Sequence, residues 1–204
     1  MVNTAEDEVC LYETMFRASF TLPLSSIVQK LLNHLNLAPH QIMPNRRRYF
    51  FACMVLWPCV LGEEQPLTVR EFLKVYRLTK NPRTDALFTF QFQKKVKFIH
   101  LWTTFSSNKK WKNSFFFASG SWEFSPLEAI QGPRVPRETS VPSTEGQEDP
   151  DLTKEEEDRV EMIPTFTWVK KNEKQLDYDV LVIMANLEKY LAYPQLAGWE
   201  ASFS

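Results

Sequence analysis

Three groups of residues combine charge and aromaticity in patterns that suit recognition of an anion. Arg46, Arg47 and Arg48 follow Pro44 and Asn45 and would stand in the first turn of a helix. Cations there oppose the macrodipole at about 0.3–1 kcal/mol each when exposed. A phosphate would relieve that cost, because free backbone N–H groups and guanidinium forks meet at that end; an acidic segment of the same chain would do so too. Successive helical residues diverge by about 100°, so three adjacent arginines cannot converge on one ligand, and a solvated helix end is the competing reading. Lys94, Lys95 and Lys97 lead into Trp102, and Lys109, Lys110, Trp111 and Lys112 form the third group. Lysines interleaved with rings suit single-stranded nucleic acid, whose bases stack on the rings while the ammonium groups follow the phosphates. The same pattern also describes strands with lysines outward and aromatics in the core.

Other chemistries lack their residues. Cys10, Cys53 and Cys59 with His34, His40 and His100 show neither C-x2-C nor H-x3–5-H spacing, which excludes a zinc finger or knuckle. The five glycines, Gly62, Gly120, Gly132, Gly146 and Gly198, form no phosphate-cradling loop of the Walker or Rossmann type. Glu63, Glu64, Glu71 and Asp85 are the acids of the basic region, a poor supply for a two-metal nuclease. No G-x-S-x-G elbow and no D-[ST]-G protease motif is present. Asp177 and Asp179 could share a metal but suit a helix N-terminus better. His100, between Ile99 and Leu101, reads as a core or edge-strand histidine, and Cys53 and Cys59 as small apolar packers. A non-enzymatic protein without metal, cofactor or disulfide is expected.

The elements that would position these residues follow from charge and periodicity. The 204 residues carry 24 Lys and Arg against 25 Asp and Glu, yet the charge is segregated. Residues 1–16 hold four acids and no Lys or Arg; residues 17–122 hold sixteen Lys and Arg against four acids; residues 123–204 hold eight against seventeen. Such asymmetry points to an anionic partner for the middle of the chain, or to acidic ends that serve as its counter-charge. Residues 131–158 contain four Pro and no aromatic residue, a composition that reads as disordered. The chain therefore divides into an acidic N-terminal segment (1–16), a basic domain (17–128), an acidic Pro-containing linker (129–160) and a C-terminal strand and helix (161–204). The longest apolar run, Tyr49 to Leu61, spans thirteen residues and contains Pro58, whereas a membrane helix needs about 20. The N-terminus has the pattern of neither a signal nor a transit peptide, so a soluble protein of the nucleus or cytoplasm is expected.

Ser25 and Ser26 precede Val28, Leu31, Leu32 and Leu35, the spacing of one helix face, and Asn36 and Pro39 mark its end. Asn45 is placed to cap a second helix that Pro58 should end or kink. Thr68 and Glu71 form an S/T-x-x-E capping box ahead of Phe72, Leu73 and Tyr76. Phe88, Phe90 and Phe92 alternate with polar residues, which predicts a strand. Lys95 to Phe105, Phe115 to Ala118 and Trp122 to Phe124 are further strand and hairpin candidates; Phe166 and Trp168 suit one more strand, and Asp179 can cap a final helix. The expected class is α+β: N-terminal helices followed by a small antiparallel sheet, an acidic disordered linker and a C-terminal amphipathic helix.

Taken in order, Phe20-Thr-Leu-Pro-Leu-Ser-Ser26, Leu35-Asn-Leu-Ala-Pro39 with Gln41 and Pro44-Asn45, Leu67-Thr-Val-Arg-Glu-Phe72, and Ser106-Ser-Asn-Lys-Lys-Trp111-Lys with Phe115-Phe-Phe117 resemble a plant domain family described as gypsy-type transposon, or transposase-like, domains. The resemblance covers about residues 16–124. It implies a plant source and descent from a mobile element, and it supplies no catalytic residues. Protease, Y-x-D-D polymerase and zinc-knuckle motifs of a full element are missing, so a gag-like or domesticated remnant fits best. Three roles are expected in turn: a domain that binds DNA or RNA or assembles with its own copies, a protein-interaction module whose basic and acidic parts pair internally, or a fragment without selected function. Under the first, deleting residues 131–204 should tighten nucleic-acid binding.

Overall fold

The structure, a computed structural model, describes residues 8–16, 20–62, 64–84, 86–93, 111–124, 133–144 and 147–162. In chain order these form β1 (Glu8–Tyr12), α1 (Glu13–Phe16), α2 (Ser26–Leu35), a 3-10 turn (Pro39–Gln41), α3 (Pro44–Leu61), α4 (Val69–Val75), β2 (Tyr76–Lys80), β3 (Phe88–Phe92) and β4 (Phe115–Ser119). A further helix, α5, runs over 154–162. The class is α+β, with two separate two-stranded antiparallel sheets, β1–β4 and β2–β3. No helix among the described residues is long and apolar enough to cross a membrane.

Local rules account for most of these elements. In α2, Val28, Leu31, Leu32 and Leu35 are buried, and Asn36 closes the helix in the left-handed conformation (φ 53°). At α4 the capping box is complete: Glu71 N donates to Thr68 Oγ1 (3.2 Å) and Thr68 N donates to Glu71 Oε2 (2.8 Å). The chain then turns directly from helix to strand at Tyr76 (φ −123°, ψ 128°), so Tyr76 begins β2 instead of continuing α4. Phe72, fully buried, is the hub where the two periodicities meet. Its ring lies 4.9 Å from Phe90 and 4.8 Å from Phe50, both edge-on, and 5.1 Å from Tyr76 in a parallel stack.

Several elements differ from the sequence expectation. The cap of α3 is Met43 with Pro44 in the first turn, not Asn45, and Pro58 lies inside the helix, which continues to Leu61. Pro58 cannot donate to the carbonyl of residue 54, yet the last turn still closes through Gly62 N donating to Pro58 O (2.9 Å). The acidic N-terminal segment contains β1, which precedes the helices and pairs with β4 from Glu8↔Ser119 to Tyr12↔Phe115. Trp122 to Phe124 is a turn beyond Gly120 (φ 75°), not the second strand of a hairpin. The strand candidates at Lys95–Phe105 and Phe166–Trp168 and the helix from Asp179 lie outside the described residues.

The largest departure concerns the segment expected to be a disordered linker. Residues 133–144 lie extended along the end of α2, where Ser143 N donates to Leu35 O (3.0 Å) and the Ser140 and Ser143 hydroxyls donate to Asn36 O and His34 O. These are carbonyls that a helix C-terminus leaves without an intrahelical donor. Gln41, fully buried, accepts from Ser140 N (3.1 Å) and Ala38 N (3.0 Å) and donates to Ser140 O (2.8 Å). Glu123, also fully buried, receives Arg137 on both carboxylate oxygens (3.3 and 3.2 Å).

Further on, Thr153 and Glu156 form a second capping box, at the start of α5 (2.9 and 3.2 Å). This helix start abuts that of α4: Arg159 Nε donates to Glu71 (2.6 Å), Glu156 pairs with Arg70 (3.5 Å), and Lys74 reaches Asp149 (3.2 Å). Val135 and Val160 join the core. Residues 133–144 and 147–162 are thus a strap, and all four buried polar side chains of the described residues, Gln41, Glu71, Glu123 and Glu156, hold it or belong to it. Composition favours disorder because the strap has little apolar surface of its own; specific polar anchors compensate for that deficit.

Candidate functional site

The β1–β4 ribbon has two different faces, set by the period of two. Val9 and Leu11, wholly buried, point into the core beside Ala118 and Phe116. The opposite face carries the pairs Cys10↔Phe117 and Tyr12↔Phe115. Trp111, just ahead of β4, extends this row: its ring lies 4.7 Å from Tyr12 at 78°, Tyr12 lies 6.5 Å from Phe115 at 69°, and Phe115 lies 5.8 Å from Phe117 at 81°. Lys112 is exposed, its Nζ 5.3 Å from the Trp111 ring centroid. Glu13 N donating to Ser114 O (3.0 Å) carries the ladder past the strand ends and fixes Trp111 against Tyr12.

The β2–β3 hairpin presents a second surface. Tyr76 and Leu78 are buried, while Arg77 opposes Gln91 and Thr79 opposes Thr89 on the outer face. At its end, Arg83 N donates to Asn81 Oδ1 (2.9 Å) and Asn81 N to Leu87 O (2.8 Å), a side-chain-braced turn. Arg77, Lys80 and Arg83 are exposed. They were missed in the sequence because α4 was expected to include Tyr76; the alternation of buried Tyr76 and Leu78 with Arg77 was the available signal.

No protein-family model, curated protein or solved structure matches the chain.

The sequence-predicted site residues are not gathered into one place by what is described. Arg46, Arg47 and Arg48 lie in the first turns of α3. Trp111 and Lys112 belong to the aromatic ribbon. Lys94, Lys95, Lys97, Trp102, Lys109 and Lys110 lie outside the described residues. Among the described residues no three His, Cys, Asp or Glu come close enough to share a metal ion. A void of about 20 Å³ lined by Phe20, Leu31, Leu32, Ile42, Phe50 and Phe90 lies within the apolar core, far below the ~300 Å³ of a small-molecule pocket.

Burial raises the pKa of the Cys10 thiol and, with Cys10 as neighbour, of the Tyr12 phenol. Burial acts more strongly on Cys53 and on Tyr76, which share a hydrogen bond in the core. Since folded-state values lie above unfolded ones, the folded chain retains protons that the unfolded chain loses from about pH 9 upward. Stability is therefore undiminished by these groups below that pH and falls as pH rises above it. Urea midpoints between pH 7 and 11 measure the fall, and Tyr76→Phe should flatten its upper part. A midpoint constant to pH 10.5 would contradict it.

Proposed function

We propose that the chain is a non-catalytic, transposon-derived domain that binds nucleic acid through phosphate contacts on the outer face of the β2–β3 hairpin. The distribution of acids around the basic region supports this reading. Asp149 and Glu156 pair with Lys74 and Arg70 on α4, so the strap neutralises that helix. Arg77 and Arg83 meet no carboxylate among the described residues, and residues 76–95 carry Arg77, Lys80, Arg83, Lys94 and Lys95 against Asp85 alone. Arg77 on the polar strand face and Arg83 in the adjoining turn, both exposed, suit phosphate oxygens, which fix position without reading sequence. The order of motifs that resembles gypsy-type transposon domains supports a mobile-element origin.

Binding of this kind weakens linearly in log–log with salt, and each phosphate-contacting cation removed lowers the slope by about one. Fluorescence anisotropy with random-sequence DNA and RNA is expected to show this, and R77A with R83A should lower the slope by about two. Absence of binding to either polymer at low salt would refute the proposal. A protein-interaction module is the second reading, favoured by the Lys74–Asp149 and Arg70–Glu156 pairs, in which the basic helix already recognises an acidic segment. Capture of a partner that survives nuclease treatment would favour it.

A further inference from the structure

Phe115, Phe116 and Phe117 are 47%, 43% and 39% exposed, three of the five large apolar side chains exposed among the described residues, and they are consecutive. A patch of this kind on a strand signals an occupant. Phe116 leans on Phe16 at 5.5 Å on the other side of the ribbon, whereas Phe115 and Phe117 continue the row begun by Trp111 and Tyr12. All three ring contacts of that row are edge-on. An edge-on contact covers one face of one ring only, and the exposure of Phe115 and Phe117 leaves ring surface that a flat ligand can use.

Charge selects among flat or apolar occupants. From Ser106 to Ser119 the chain carries Lys109, Lys110 and Lys112 and no acid; the paired strand brings Glu8 to the far end of this face, opposite Ser119, and Lys112 stands at the Trp111 end of the row. A ligand that matches both features is planar and anionic in alternation. We propose that this face takes unpaired nucleotides, with bases stacked on Trp111, Phe115 and Phe117 and a phosphate at Lys112. The proposal rests on the nucleic-acid reading above and narrows it to single strands, because duplex bases are already stacked on one another and cannot offer their faces.

The test uses the full chain and fluorescein-labelled 20-nucleotide DNA and RNA, single-stranded and as duplexes of the same sequence, in anisotropy titrations. Single strands are expected to bind at least tenfold tighter than duplexes. F115L with F117L, which keeps apolar bulk and removes the rings, should weaken single-strand binding by about tenfold per ring and leave duplex binding unchanged. F115Y with F117Y, which keeps the rings, should retain it, so a folding defect is separable from loss of stacking. Equal affinity for both forms, unchanged by the leucine pair, would overturn the single-strand proposal and leave phosphate binding standing. No binding of any form would refute the nucleic-acid reading itself. A leucine pair that abolishes a concentration-dependent dimer in sedimentation, with single-strand affinity unaltered, would also overturn the proposal, by assigning the face to a second copy.

Discussion

A chain ending at residue 132 is expected not to fold. The cut removes Ser140 from Gln41, Arg137 from Glu123 and Arg159 from Glu71, and it leaves three fully buried polar side chains without these partners. A buried neutral group left unsatisfied costs about 1–3 kcal/mol, and a buried charge stripped of its partner about 3–5 kcal/mol. Val135 and Val160 leave the core as well, at about 1.5–3 kcal/mol each. Together these are on the order of 10 kcal/mol, against about 5–15 kcal/mol for the whole stability of a typical domain. Circular dichroism and urea titration should show no cooperative transition for the truncated chain and one for the full chain. A truncated protein with the full-length midpoint would refute the strap as a structural element.

This outcome reverses the simplest inference from charge. Acidic composition after residue 130 suggests a detachable competitor whose deletion tightens nucleic-acid binding, but deletion would remove the fold along with the charge. Asp149→Asn is the cleaner probe: it takes a charge from Lys74 at an exposed pair (3.2 Å), where the cost to stability is only about 0–1 kcal/mol.

What could be read in the sequence was local. The helix at Val28–Leu35, the Thr68–Glu71 box and the Phe88–Phe92 strand each announce themselves within a dozen residues, by periodicity or by cap chemistry. What could not be read depends mostly on partners 88 to 111 residues apart, with Glu123 and Arg137 nearer at 14. β1 looks like an acidic tail until Phe115–Ser119 supplies its ladder. The strap looks disordered because Gln41, Glu71 and Glu123, each unremarkable in place, become buried anchors only when Ser140, Arg159 and Arg137 arrive. Trp111 and Lys112 were legible as a candidate site from charge and ring adjacency alone. Their neighbours Tyr12, Phe115 and Phe117 were not, because membership of one face depends on strand register.

The strap can also be challenged at one atom pair. Arg137→Ala is expected to cost about 3–5 kcal/mol and, for a chain of this size, to lower Tm by on the order of 10 °C. Glu123 is fully buried, Arg137 nearly so, and the guanidinium also donates to Gly120 O and lies 5.8 Å from the Trp122 ring. Truncation removes the cation and leaves the fully buried carboxylate without its salt-bridge partner. A double change, R137M with E123L, removes both charges at similar volume and should recover most of the loss. Equal destabilisation of the single and double variants would show that packing by Arg137, and not its charge, holds the strap.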